Sequence, residues 1–383
     1  MHETGRVLRA ARENAGLSLA TFAARVHYGK STLSMVETGQ RTATPELVAA
    51  YERTLGVQGL GDDVNRRELL AATAALLAGT AISDPAARLL DGLSSAGHTG
   101  QVGRSEVEAI RHAAAVYTAM DLKYGGAVTA DLSHSALRWA VGLLDAPMRD
   151  DIRVELHAAV GSLADRTAWM HFDAGRGHSA RTLSTLALRT ADGGADPDLR
   201  AHVLLDIAMQ VGEVFPGEAA KLIDSALADR RVCSLERANL HAEMGRHSAK
   251  AGDKQKALQH IRRAELLASS GGDAPMWAGF LTVNHLDAVI TRSLAAAGEH
   301  AEAIRRFENL LPRVGDDRLR GRAGWMIDLA DVYTDTGELE RAATLARQAD
   351  GALQEVRSTR KAAKLAALKS RVTQARHGQS RQS

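Results

Sequence analysis

Over the first sixty residues, apolar side chains recur every three to four positions in four short runs, each bounded by residues that start or stop helices. The first run covers about 4–14, with Val7, Leu8 and Ala11 on one face, and stops at Ala15-Gly16. Ser18 stands where an N-cap belongs for a second helix over 19–26. The turn His27-Tyr28-Gly29 precedes a third over 30–38, which Gly39 ends, and Thr44-Pro45 opens a fourth over 45–55 before Gly56. Short loops between short helices predict a small bundle. The third helix is unusual in its two faces. Leu33 and Val36 point one way, and Lys30, Ser31, Ser34 and Met35 the other. A helix that only fills a core has no use for a Lys-Ser-Thr start, and one that only meets solvent has no use for the apolar pair. The polar face therefore predicts a partner.

The pattern changes after the stretch Gly59-Leu60-Gly61-Asp62-Asp63, which reads as a linker. Residues 65–82, NRRELLAATAALLAGTAI, form a helix pattern with Asn65 as N-cap and Glu68 in the capping-box position. Its apolar run falls short of the roughly 20 residues a bilayer span needs. Its position inside the chain also argues against a twin-arginine export signal. A helix apolar nearly all round must be buried, against its own copy in a dimer or against the rest of the chain. A small-residue stretch, 94–103, separates it from the remainder, so 61–103 is assigned to a linker with an apolar helix.

From 104 to 356 the pattern is almost wholly helical, and it repeats. MGRHSAKAGDKQKALQHIRRA (244–264) carries Gly245, Gly252, Ala257, Ile261 and Ala264, and LADVYTDTGELERAATLARQA (329–349) carries Ala330, Tyr333, Gly337, Ala342, Ala346 and Ala349 at matching offsets. ITRSLAAAGEHAEAIRRFENL (290–310) keeps Gly298, Ala303 and Phe307, and TAWMHFDAGRGHSARTLSTLA (167–187) keeps Ala168, Gly175, Ala180 and Ala187. Small residues let two antiparallel helices approach, and glycine permits the left-handed turn between them. Residues 357–383 form a basic helix or tail: no acidic residue follows Glu355, while Arg357, Arg360, Lys361, Lys364, Lys369, Arg371, Arg376 and Arg381 do.

Composition narrows the function. Of 383 residues, 45% are apolar and only 7 are proline, which suits a soluble helical protein long enough to bury a core unaided. A single cysteine, Cys233, cannot form an internal disulfide, and with no N-terminal signal pattern the expected location is the cytoplasm. A net charge of +2 excludes a polycation, and 4% aromatics are too few for a base-stacking platform.

The stretch GLSLATFAARVHYGKSTLSMVETGQR (16–41) resembles the helix-turn-helix of the phage-repressor and Cro-like (XRE) family of DNA-binding regulators. The resemblance implies that 19–26 is the first helix of the motif and 30–37 the recognition helix, with residues 1–60 as the DNA-binding domain. It places Lys30, Ser31, Thr32, Ser34 and Met35 against the major groove of an operator in double-stranded DNA, where a lysine donates to guanine, hydroxyls meet base edges and a thioether meets a thymine methyl. Thr38, Gln40 and Arg41 match positions that grip phosphate. Arg12 and Glu37 match positions that pair in the family, which predicts an ion pair from the first helix to the end of the third. Leu19, His27 and Gly29 depart from the usual polar residue, turn glycine and serine cap. One module reads a half-site, so a homodimer on a palindrome is expected.

The repeats of 104–356 resemble tetratricopeptide repeats, whose helix pairs stack into a solenoid, although Gly252 to Gly298 spans 46 residues and Gly298 to Gly337 spans 39, against about 34 in that family. The expected fold is therefore all-α: a Cro-like helix-turn-helix bundle followed by a tetratricopeptide-like α-solenoid. The combination is similar to peptide-sensing regulators of Gram-positive bacteria and to Ala/Arg-rich actinobacterial regulators. It implies a groove for a peptide, small-molecule or protein effector, with Asn239, Arg246, Asn284 and Arg292 on or near groove-facing positions. The only tight His/carboxylate group is His171, Asp173 and His178, at offsets unlike an i, i+4 metal pair. No nucleophile elbow or phosphate loop is present, so neither catalysis, metal, cofactor nor membrane is expected. The competing reading is a scaffold whose repeats dock another protein while DNA binding is vestigial.

Overall fold

The structure is a computed structural model that describes residues 3–41, 43–57, 60 and 101–380. The apolar helix expected at 65–82 and the linker around it lie outside the described residues. Within them every regular element is a helix.

The N-terminal bundle contains α1 (Glu3–Asn14), α2 (Leu19–Val26), α3 (Lys30–Glu37) and α4 (Pro45–Leu55). Local chemistry sets their ends. The Ser18 hydroxyl accepts from the Thr21 N–H at 3.1 Å, and the Thr44 hydroxyl from the Leu47 N–H at 3.3 Å, so two of the orphan donors at helix starts are satisfied. His27 takes the left-handed conformation, φ 56°, that ends α2. Leu8, Phe22, Leu33, Val36, Leu47 and Tyr51 form the core, in which the rings of Phe22 and Tyr51 lie 4.3 Å apart.

Beyond the bundle, the described residues form six antiparallel helix pairs and a last helix, with three short 3-10 turns in the connections. The pairs are α5 (Arg104–Tyr124) with α6 (Gly126–Gly142), α7 (Asp150–Asp173) with α8 (Gly177–Gly193), α9 (Pro197–Val211) with α10 (Pro216–Ala228), α11 (Ser234–Lys250) with α12 (Lys254–Ser269), α13 (Val283–Ala296) with α14 (His300–Leu310), and α15 (Leu319–Asp335) with α16 (Leu339–Glu355). The repeat glycines sit where the pattern requires them. Gly175, Gly252, Gly298 and Gly337 have φ between 76° and 85°, a left-handed turn that a Cβ disfavours.

The stack does not remain an open groove. The Arg320 guanidinium on α15 pairs with Asp121 on α5 at 2.7 Å, joining residues 199 positions apart. The Arg357 N–H donates to the Tyr124 carbonyl at 2.7 Å, and the Ala127 N–H to the Arg357 carbonyl at 3.1 Å. The Ser358 hydroxyl donates to the buried Asp173 carboxylate at 2.8 Å. First and last pairs thus meet, and the six inner helices surround a central cavity. The basic segment becomes α17 (Thr359–Ser380), laid along α15 and α16. Its cations find acids there: Lys364 pairs with Asp328, Arg371 with Asp331 and Asp335 at 2.6 Å, and Lys369 with Asp350 at 2.9 Å. No helix of the described residues is long and apolar enough to cross a membrane.

Candidate DNA-binding surface and central cavity

Helix α3 is anchored from below. Leu33 is fully buried and Val36 nearly so. At its end, Glu37 accepts from Arg12 Nε at 2.7 Å and Nη2 at 2.6 Å, a bidentate buried pair, and from the Tyr51 hydroxyl at 2.8 Å. The expected Arg12–Glu37 pair is therefore present, with Tyr51 as a third member that the sequence did not suggest. Arg12 also donates to the Leu17 carbonyl at 2.7 Å, which fixes the loop before α2.

On the other side, Lys30, Ser31, Met35, Gln40 and Arg41 are exposed, while Thr32, Ser34 and Thr38 are half-buried. The Thr38 hydroxyl donates back to the Ser34 carbonyl at 2.8 Å, so its proton caps the helix rather than standing free for a phosphate. Gly29 provides no side-chain cap, which leaves the N-terminal N–H groups of α3 for an outside acceptor.

The central cavity has two chambers. The larger, about 720 Å³, lies between the C-terminal halves of the inner helices and α17. The smaller, about 120 Å³, takes residues from all six inner helices and shares Met209, Arg292, Arg360 and Lys361 with the first. Of the four residues expected to line a groove, three do. Arg246 faces the large chamber, Asn239 the small one, and Arg292 both. Asn284 lines neither, and its amide reaches the Arg313 carbonyl at 3.5 Å. The wall of α13 is instead His285, Val289, Arg292 and Ala296. These match Asn239, Glu243, Arg246 and Lys250 of α11 at the 46-residue spacing of Gly252 and Gly298, so Asn284 is one helical step off the stripe.

Most charge around the cavity is internally spent. Arg246 pairs with Glu243 at 2.6 Å and Glu213 at 3.0 Å, Lys250 with Glu213 at 2.5 Å, and Arg292 with Glu243. These cations hold the Glu213 and Glu243 carboxyls down at about 2 against the opposing effect of burial. Asp165, His202 and Asp206 converge closely enough to hold a metal ion, but Arg166 Nη2 lies 2.7 Å from Asp206 and 2.8 Å from His202. A guanidinium thus occupies the place a cation would take. The group His171, Asp173 and His178 is dispersed. His171 is buried against the His134 ring, Asp173 holds Ser358 and the Gly126 N–H, and His178 meets Arg181.

These features define an all-α protein in which a helix-turn-helix bundle precedes a closed ring of helical repeats. Residues 3–66 match the helix-turn-helix domain family. No curated protein matches the chain. Among solved structures, the chain is similar to Bacillus thuringiensis PlcR in complex with the peptide PapR7 and DNA, at 7% identity over 97% of this chain and 99% of that one, with a TM-score of 0.33.

Proposed function

We propose that this chain is a sequence-specific DNA-binding transcription regulator whose repeat ring senses an effector and holds two copies together. The observation that carries the reading is the two-faced α3. Its apolar side and the Arg12–Glu37–Tyr51 lock fix it in the bundle, while Lys30, Ser31 and Met35 stand exposed on the other side. Lys30, Ser31, Thr32, Ser34 and Met35 read base edges in the major groove, and Gln40 and Arg41 grip phosphate. Thr38 contributes through the helix end that it caps.

A single α3 covers only a few base pairs, so a homodimer places two of them in successive major grooves, about 34–36 Å apart. The central cavity supplies the sensor. The two chambers together take residues from every inner helix, and a preference of a few kcal/mol for one ring geometry suffices to change the spacing of the two heads. The protein acts in the cytoplasm, on operator DNA, without catalysing a reaction. Selection from random duplexes tests the reading. The full chain enriches an inverted repeat with half-sites one helical turn or a multiple apart, whereas a pool that emerges without sequence preference contradicts it.

A further inference from the structure

The lining of the large chamber contains eight basic and four acidic side chains, and pairing accounts for nearly all of the excess. Arg246, Lys250, Arg292, Lys364 and Arg371 each have the carboxylate partners described above, and Arg181 lies 2.8 Å from His178 Nδ1. Arg360 lies 3.5 Å from Asp173 and stacks over Trp169 and Phe172 at 5.1 and 5.0 Å. Lys361 is the exception. It is 8% exposed and lines both chambers, yet its Nζ has no hydrogen-bond acceptor or ion-pair partner among the described residues. Its one nearby acid, Asp328, is already paired with Lys364.

The fold makes room for this ammonium. Gly324 on α15 lies beneath the Lys361 side chain, and a Cβ there would come within 2.3 Å of Nζ. In the repeat register Gly324 corresponds to Asn239 on α11 and His285 on α13, both of which point into the small chamber. At this level the wall of α15 is a gap filled by a lysine from α17. The surrounding donors also lack acceptors: the buried Nε atoms of Arg292 and Arg360 have no hydrogen-bond partner, and the Asn239 amide, 3% exposed, has none among the described residues. Buried donors are nearly always paired in folded proteins. A buried cation without a counter-charge is costlier still. Burial and the neighbouring Arg360 and Lys364 push the Lys361 ammonium well below its ordinary range. Together these groups describe one missing anion.

We infer that the junction of the two chambers binds a small anionic molecule, its carboxylate or phosphate group at Lys361 and its apolar body along Phe172, Met209, Ala296 and Val332. This deepens the sensor reading above and rests on it. A cavity of this size suits a drug-sized ligand rather than a bare ion. The apolar wall residues account for the body and the unpaired donors for the head group.

Calorimetry and thermal melting of the full chain, without DNA, test the inference with octanoate, octyl phosphate and octanamide at matched ionic strength. Either acid, but not the neutral amide, raises the melting temperature by several degrees, and the tighter of the two acids identifies the head group. Lys361→Met and Lys361→Gln remain folded, with melting temperatures at or above that of the parent because an unpaired buried charge is gone, and bind the acid about tenfold more weakly or worse. Equal binding of octanamide, no shift from either acid beyond matched chloride, or parental affinity in whichever variant folds would overturn it. DNA binding is measured separately, so a chain that binds operator but no acid counts against this inference alone. One that binds the acid but no operator counts against the regulator reading alone.

Discussion

In the N-terminal bundle the polar side chains with free capacity face outward, and the apolar ones beneath them only hold the frame. In the repeat ring the arrangement is inverted. The outer helices pack through alanine and leucine, and the charged residues converge on the axis, where Arg166, Arg246 and Arg320 are buried and Arg292 half-buried, each of them paired. Under the proposed function, the contrast follows from what each surface meets. A hydrated polyanion such as DNA is met by exposed cations that keep their water until contact. A small effector is met by groups already stripped of water, whose interactions are stronger and whose misplacement is more costly.

The bundle half of that contrast depends on the lock at Glu37. Replacing Glu37 with alanine leaves buried Arg12 with only the exposed Glu13 carboxylate at 3.5 Å and Tyr51 without its acceptor, and should destabilise the bundle by about 3 kcal/mol. Hydrogen exchange should then show the amides of residues 3–57 losing protection while those of the ring keep theirs. The ring half depends on closure. Asp173→Ala removes the acceptor of Ser358 and Gly126 and the partner of Arg360. A loss of roughly 2–3 kcal/mol is expected in the urea transition of the ring, with the amides of Ala127 and Arg357 exchanging first.

Acidification separates the halves by a smaller amount. Burial pushes His171 and His247 down to about 4, assisted at His171 by His134 and Arg176 and at His247 by Arg246. The unfolded imidazole takes its proton near 6.5 and the folded one only near 4. The unfolded state therefore binds more protons between those values, and stability present above pH 6.5 is lost as pH falls. Each histidine contributes up to roughly 1.4 kcal/mol per pH unit. His241 and His285, down at about 4 and about 3, act the same way. Asp121 and Asp206, raised to about 6 mainly by burial, offset part of the loss below pH 6. Thermal melts at pH 7.5 and 5.5 should show the ring losing stability and the bundle, with no buried histidine among its described residues, holding.

The helices of both halves were legible in the sequence because caps, turn glycines and apolar spacing are local signals. The Arg12–Glu37 pair was legible through a resemblance that fixes both positions. Ring closure was not, since Asp121 and Arg320 meet across 199 residues and nothing near either one records it. Residues 357–383 read only as a basic helix or tail because their partners Asp328, Asp331 and Asp335 lie on another helix, and Lys361 looked like one cation among eight. Asn284 fell near the groove face in the repeat alignment, whereas the 46-residue spacing, applied residue by residue, selects His285. The side chain that lines a cavity is set by a 100° step that composition does not see.

The most direct measurement is fluorescence anisotropy of the full chain on its selected operator over a range of salt concentrations, with Lys30→Ala, Arg41→Ala and the double variant. The expected result is a steep fall of affinity with salt in the parent, a slope reduced by about one for Arg41→Ala, and about a hundredfold loss for the folded double variant. Unchanged operator affinity in that folded double variant would contradict the assignment of α3 as the DNA-reading helix.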